Sequence, residues 1–139
     1  MTTSTKRLVV LVGPTGSGKT DLSIRLARRL GAPILSTDSR QLYRGMPIGT
    51  AQPTKEQLQA AEHHFIASHD ITENLNCGAY AEQALARLSE LFATHDCVVA
   101  VGGSGLYVQA LCDGMDDLPH ADEALRGELM RRIEEEGRE

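Results

Sequence analysis

No apolar run in this 139-residue chain approaches the length of a membrane span, which argues against a transmembrane helix. The three cysteines, Cys77, Cys97 and Cys112, are odd in number and have no metal-ligand or redox spacing. They fit packed thiols in a reducing, cytoplasmic setting, and nothing indicates secretion. Internal repeats and low-complexity stretches are also missing. The histidines form no metal pattern: His63 and His64 are adjacent and face different directions on any regular element, so a structural role is expected of them. His69, His95 and His120 read as loop residues, and neither the histidines nor the cysteines indicate a metal site. The start, MTTSTKR followed by LVVLVG, has too short an apolar part for a signal peptide and reads as a first strand.

What is present suits one compact α/β core, with 41% hydrophobic residues. The net charge of −5 is unevenly spread. Residues 1–50 carry eight Lys and Arg against Asp21 and Asp38, whereas residues 51–139 carry six against seventeen acids. Basic charge therefore gathers around the first glycine loop. It suits a polyanion such as nucleic acid, and equally a simple phosphate site.

Leu8 to Val12 is a continuous apolar run, as in a buried parallel strand. A helix is predicted from about Lys19 to Leu30, with Leu22, Leu26 and Leu30 on its apolar face beside Ile24 and Ala27, and Gly31 ending it. Pro33–Ser36 reads as a second strand, which delivers Thr37, Asp38 and Ser39 at its end. Tyr43–Pro53 reads as a loop. Thr54 with Gln57 makes a capping box for a helix to about Glu62. His64 to Ala67 reads as a short strand, and 79–94 as a helix burying Ala84, Leu85, Leu88, Leu91 and Phe92. Cys97–Val101 is the next buried strand, followed by a glycine turn and a helix from Leu106 to Leu111. A charged helix over about 122–136 has only a thin stripe of Leu125, Leu129 and Ile133. The alternation predicts a parallel sheet flanked by helices, and the glycine-rich stretch Gly13–Thr20 (GPTGSGKT) between its first strand and helix makes the expected α/β fold P-loop NTPase-like.

Between the first strand and helix lies Gly13-Pro14-Thr15-Gly16-Ser17-Gly18-Lys19-Thr20, the pattern G-x-x-x-x-G-K-[ST]. Gly16 and Gly18 let the backbone turn its N–H groups inward, where they and the helix dipole bind phosphate oxygens. Lys19 adds a cation, and the Thr20 hydroxyl is placed to ligate Mg²⁺. P-loop ATPases generally add a strand ending in Asp, but here CVVAV ends in Gly102-Gly103-Ser104. That points to a transferase and raises the importance of Asp38, the one acid at a strand end near the loop. Ligands of parallel sheets bind at the carboxyl ends of strands, so Asp38 and Ser104 are expected to converge on the P-loop. A turn-forming or N-cap role explains the position of Asp38 equally well.

Taken together, GPTGSGKT, STDSRQLYRGMPIGTAQPT, HHFI, VGGSGLYVQAL and LP with ADEALR resemble the bacterial tRNA dimethylallyltransferases, also called tRNA isopentenyltransferases. The likeness runs over residues 8 to 130. The strings Asp38 to Pro53 and Gly102 to Tyr107 are its specific parts. The resemblance implies transfer of a dimethylallyl group from dimethylallyl diphosphate to N6 of the adenosine 3′ to the anticodon, in tRNAs reading codons that start with U. It implies that Gly13–Thr20 hold the diphosphate with Mg²⁺ and that Asp38 is the base, with Ser104 (where the family commonly has Thr) also touching substrate. Ser39, Arg40, Gln41 and Arg126 are implied to face the tRNA. Family members are about twice as long. The expectation is therefore a truncated form: an incomplete core over 1–118, the start of a helical tRNA-binding insertion over 119–139, a monomer, and no tRNA modification by this piece alone. A small-molecule P-loop kinase and a non-catalytic nucleotide-binding module are the competing readings.

Overall fold

The computed structural model describes residues 4–14, 16–45, 51–73, 75–114 and 122–137. Four strands, β1 (Arg7–Val12), β2 (Ile34–Ser36), β3 (His63–His64) and β4 (Cys97–Gly102), form one sheet in the order β1-β4-β2-β3. Every pairing is parallel. The helices are α1 (Lys19–Leu30), α2 (Lys55–Ala60), α3 (Cys77–Thr94), α4 (Gly105–Asp113) and α5 (Glu123–Glu136). This is the expected α/β sheet flanked by helices.

Successive residues of β4 point to opposite faces. Val98 and Ala100 join Leu35, Tyr80, Leu88 and Leu111 in a core shared with α3 and α4. Val99 joins Ile24, Ala27 and Ile34 in a second core under α1. Both faces are covered, which is why this strand reads as an unbroken apolar run.

The end signals of α1 act as their residue types require. Gly18 (φ 84°) begins it and Gly31 (φ 60°) ends it, both in the left-handed region that glycine tolerates. The Thr54–Gln57 capping box forms in both directions, with Gln57 N donating to Thr54 Oγ1 at 3.2 Å and Thr54 N donating to Gln57 Oε1 at 2.9 Å. Asn76 caps α3 through its side-chain oxygen and starts that helix two residues before the predicted Ala79.

Three expectations need correction. The short strand lies at His63–His64 instead of 64–67, because Phe65 (φ 64°) and Ala67 (φ 48°) turn the chain just after it. On α1, Ser23, Ile24 and Ala27 are buried, while Leu22 and Leu30 are exposed; the helix rests on the sheet along an arc displaced from the leucine row. Leu85 is exposed on α3, whose packed stripe runs Tyr80, Ala84, Leu88, Leu91. The helix α5 has no buried residue, in keeping with its thin apolar stripe. The expected domain boundary at residue 118 lies outside the described residues, as does His120. No helix among the described residues is long and apolar enough to cross a membrane.

Candidate active site

The P-loop leaves the end of β1 and enters α1. Gly16 (φ 79°) and Gly18 (φ 84°) hold the two left-handed turns that fold its backbone back on itself. Among the described residues no side chain caps the N-terminus of α1, so none of them takes up its first N–H groups. The Pro14 carbonyl gathers the loop's mobile donors: Lys19 Nζ at 2.8 Å and Ser17 Oγ at 2.6 Å. A phosphate oxygen would compete for the same two groups. Gly13, Pro14 and Ser17 belong to the loop but not to the wall of the cavity that it borders, and Thr15 lies outside the described residues.

Asp38 follows β2 directly. Its Oδ1 accepts from the Arg40 amide at 2.9 Å and the Gln41 amide at 3.2 Å, so the turn-forming reading is correct as far as that oxygen goes. Asp38 nevertheless lines a cavity of about 300 Å³ whose other walls include Gly16, Gly18, Lys19 and Thr20. The two readings of Asp38 are thus compatible: one oxygen holds the turn, and the other makes no hydrogen bond among the described residues.

The reason Asp38 can lie so near the P-loop is found in β4. A Cβ on Gly102 would collide with Thr37 Oγ1 and lie 2.7 Å from the Thr37 carbonyl carbon and 2.9 Å from the Asp38 amide nitrogen. A Cβ on Gly103 would lie 3.2 Å from the Gly13 carbonyl oxygen and 3.9 Å from Lys19 Nζ. The glycine pair therefore lets the ends of β1, β2 and β4 close on one another.

Ser104 is not in the cavity wall. Its Oγ accepts from the Ser39 amide at 2.9 Å and donates to Ser39 Oγ at 3.1 Å, tying the start of α4 to the Asp38 turn. Ser104 thus borders the site and holds its neighbour. Gln41 lines the cavity and donates through Nε2 to the Ala51 carbonyl at 2.8 Å, whereas Arg40 is exposed. Arg126 lies on the unburied α5 and adds nothing to this cavity.

Gln57 and His63 are among the wall residues that were not foreseen. Gln57 donates to Asp21 Oδ1 at 2.8 Å and bridges α2 to α1. His63 lines the same cavity, with Nδ1 2.8 Å from the Ala61 carbonyl; that nitrogen must carry the hydrogen. Nε2 is then a buried acceptor with no partner among the described residues. Burial holds the His63 imidazole below its ordinary value, the Ala61 carbonyl opposes this, and neighbouring His64 adds to it. The adjacency of His63 and His64 gave no hint of this, because the cavity wall that His63 joins is assembled only in the folded chain.

For Mg²⁺, Thr20 supplies a hydroxyl donor in a cavity wall that also includes Lys19 and the carboxylate residues Asp21 and Asp38. No cluster of His, Cys, Asp and Glu that could hold a metal exists among the described residues. Such a small donor set suits a cation that takes most of its ligands from substrate phosphates and water, so the residues fit Mg²⁺.

The sheet order, the loop and its helix define a P-loop-type α/β protein. Within that class, the IPP transferase family model matches residues 41–139, and the chain belongs to this family. It is 46% identical over 137 residues to a tRNA dimethylallyltransferase of Porphyromonas gingivalis, covering 99% of this chain and 46% of the relative. It is 47% identical over 132 residues to the tRNA dimethylallyltransferase of Flavobacterium johnsoniae, covering 95% and 43%. Among solved structures it superposes on the full-length tRNA isopentenylpyrophosphate transferase of Bacillus halodurans with a TM-score of 0.77 and 38% identity, over 95% of this chain and 44% of that one. A eukaryotic dimethylallyltransferase acting on tRNA gives a TM-score of 0.75 at 25% identity, over 87% and 31%. The chain spans less than half the length of these curated relatives.

Proposed function

We propose that this chain carries the diphosphate-binding and base-bearing part of an enzyme that moves a dimethylallyl group from dimethylallyl diphosphate to N6 of an adenosine in tRNA. The observation that carries the reading is the shared cavity of Lys19, Thr20 and Asp38, in a family whose relatives are named for this transfer. The target adenosine, 3′ to the anticodon in tRNAs reading U-starting codons, follows from the resemblance of the motifs.

In this reading the N–H groups of Gly16–Thr20 and the Lys19 ammonium hold the diphosphate. The N6 lone pair attacks C1 of the dimethylallyl group, the C1–O bond breaks, and diphosphate leaves with the electron pair. Asp38 takes the N6 proton as the C–N bond forms, which helps because the amine's lone pair is delocalised into the ring. Lys19 offsets the charge that develops on the leaving group. Bound Mg²⁺, held by Thr20, supplies further neutralisation of the diphosphate. Ser104 acts through Ser39, keeping the Asp38 turn against the P-loop. Ser39, Arg40 and Gln41 face the RNA side, and Arg126 on α5 contacts the RNA in the longer protein. The target base leaves its stack to reach the cavity. A monomeric, cytoplasmic enzyme fits this activity.

A small-molecule kinase remains the competing reading of the P-loop alone. Calorimetry with Mg²⁺ separates the two: dimethylallyl diphosphate should bind in preference to ATP, and no ATP should be consumed. Preference for ATP, with phosphate transfer to a hydroxyl compound, would overturn the prenyl-transfer reading. Asp38→Asn in the full-length protein should slow transfer far more than it weakens donor binding; equal losses would reassign Asp38 to the metal.

A further inference from the structure

The backbone that presents Asp38 is gripped from both ends, and one of the grips comes from a residue far from the cavity. Tyr80 is fully buried in α3, and its hydroxyl donates to the Ser36 carbonyl at 2.8 Å. The Ser36 hydroxyl in turn accepts from the Asp38 amide at 3.3 Å. The other end is held where Ser104 Oγ accepts from the Ser39 amide at 2.9 Å. Residues 36–39 are thus hydrogen-bonded to α3 on one side and to the start of α4 on the other.

The Tyr80 ring is itself locked. It stacks on Tyr107 of α4 with centroids 4.4 Å apart, and Phe65 meets it edge-on at 5.5 Å. Burial first, then Tyr107 and Cys112, raise the Tyr80 phenol well above its ordinary value, so it remains a protonated donor. A locked ring with a fixed donor defines where the Ser36 carbonyl sits, and Asp38 follows two residues later.

Tyr107 provides the internal comparison. Its ring belongs to the same stack and its hydroxyl is also satisfied by a backbone carbonyl, but the carbonyl is Leu75, 2.9 Å away, which is not part of the Asp38 segment. The two tyrosines therefore make similar buried hydrogen bonds, and only one of them pulls on the residues that carry the base.

We propose that Tyr80 is a positioning residue for the transfer reaction: its hydroxyl, acting through Ser36, sets the place of the Asp38 carboxylate in the cavity. The inference rests on the prenyl-transfer reading of the site. It concerns the chemical step more than donor binding, because the P-loop hangs on β1 and α1, which Tyr80 does not touch through its hydroxyl.

The test compares Tyr80→Phe with Tyr107→Phe in the full-length protein. Each removes one oxygen and leaves the ring stack in place. Single-turnover transfer from labelled dimethylallyl diphosphate to an anticodon stem-loop is measured beside diphosphate affinity and thermal stability. Both variants should lose similar stability. Tyr80→Phe should slow transfer on the order of ten-fold, since small misplacements of a reacting group are costly, while diphosphate affinity stays within about two-fold. Tyr107→Phe should transfer at nearly the wild-type rate. Equal slowing in both variants, no slowing in Tyr80→Phe, or a matching loss of diphosphate affinity would overturn the assignment. A wild-type protein that transfers nothing would instead sink the prenyl-transfer reading on which it rests.

Discussion

Replacing Gly102 by alanine would drive a methyl group into the backbone crossing between β4 and the Asp38 turn. The added carbon would strike Thr37 Oγ1 and stand 2.7 Å from the Thr37 carbonyl carbon and 2.9 Å from the Asp38 amide nitrogen. Two of those three atoms are main chain, so no side-chain rotation relieves the contact. The strands cannot simply part, because the Thr37 amide donates to the Val101 carbonyl at 2.8 Å and Ser36 is paired with Val101. Overpacking of this kind costs about 1–3 kcal/mol, and the upper end applies where backbone must move. Alanine also gains about 0.4–1 kcal/mol by restricting the unfolded chain where its φ is tolerated. The φ of Gly102 lies outside the left-handed region, so this gain applies and the collision alone decides the sign. The net expectation is a loss of about 2 kcal/mol, read from urea unfolding followed by circular dichroism. Gly103→Ala provides the contrast: its Cβ would lie 3.2 Å from the Gly13 carbonyl oxygen, a gap that small shifts relieve. It should cost less than about 1 kcal/mol. A Gly102→Ala protein as stable as its parent, or one less affected than Gly103→Ala, would refute the close-crossing argument.

Two further outcomes follow from the site. Lys19→Met keeps the aliphatic stem but removes the ammonium, and diphosphate affinity should fall about 10- to 100-fold by calorimetry, the scale of a charge-assisted hydrogen bond; unchanged affinity would show that the loop's N–H groups suffice. His63 is held below its ordinary value of 6.5 in the folded chain, so the unfolded chain takes up the proton first as pH falls. Stability from this group is therefore full above pH 6.5 and is lost as pH drops from there through the lowered folded value. Urea midpoints at about pH 7.5 and 5.5 should differ in the wild type, and His63→Leu should flatten that difference; an identical slope in the variant would clear His63 of the effect.

Much of the scaffold was legible before folding because its signals are local. The glycines of the P-loop, the Lys19–Leu30 helix with Gly31 at its end, and the Thr54–Gln57 box each depend on neighbours within four residues. Leu22, Leu30 and Leu85 were misplaced for the opposite reason. A helix's period says which side chains share a row, but the contact with the sheet selects the row that is covered. Tyr80 was overlooked although it heads the stripe that continues through Ala84, Leu88 and Leu91, because its hydroxyl finds Ser36 forty-four residues earlier in the chain.

By itself the sequence determined the phosphate loop, the alternation of strands and helices, and the family, since each rests on residue types at fixed short spacings. Only the tertiary structure decided that β4 inserts between β1 and β2. That insertion lays Gly102 across Thr37, brings the Asp38 turn beside Lys19 and Thr20, leaves His63 Nε2 in the same wall with no partner among the described residues, and sends Ser104 to Ser39 instead of into the cavity. The physical reason is that these are contacts between strand ends and their loops, set by which strands lie side by side, and adjacency in a parallel sheet is not written in the order of the chain.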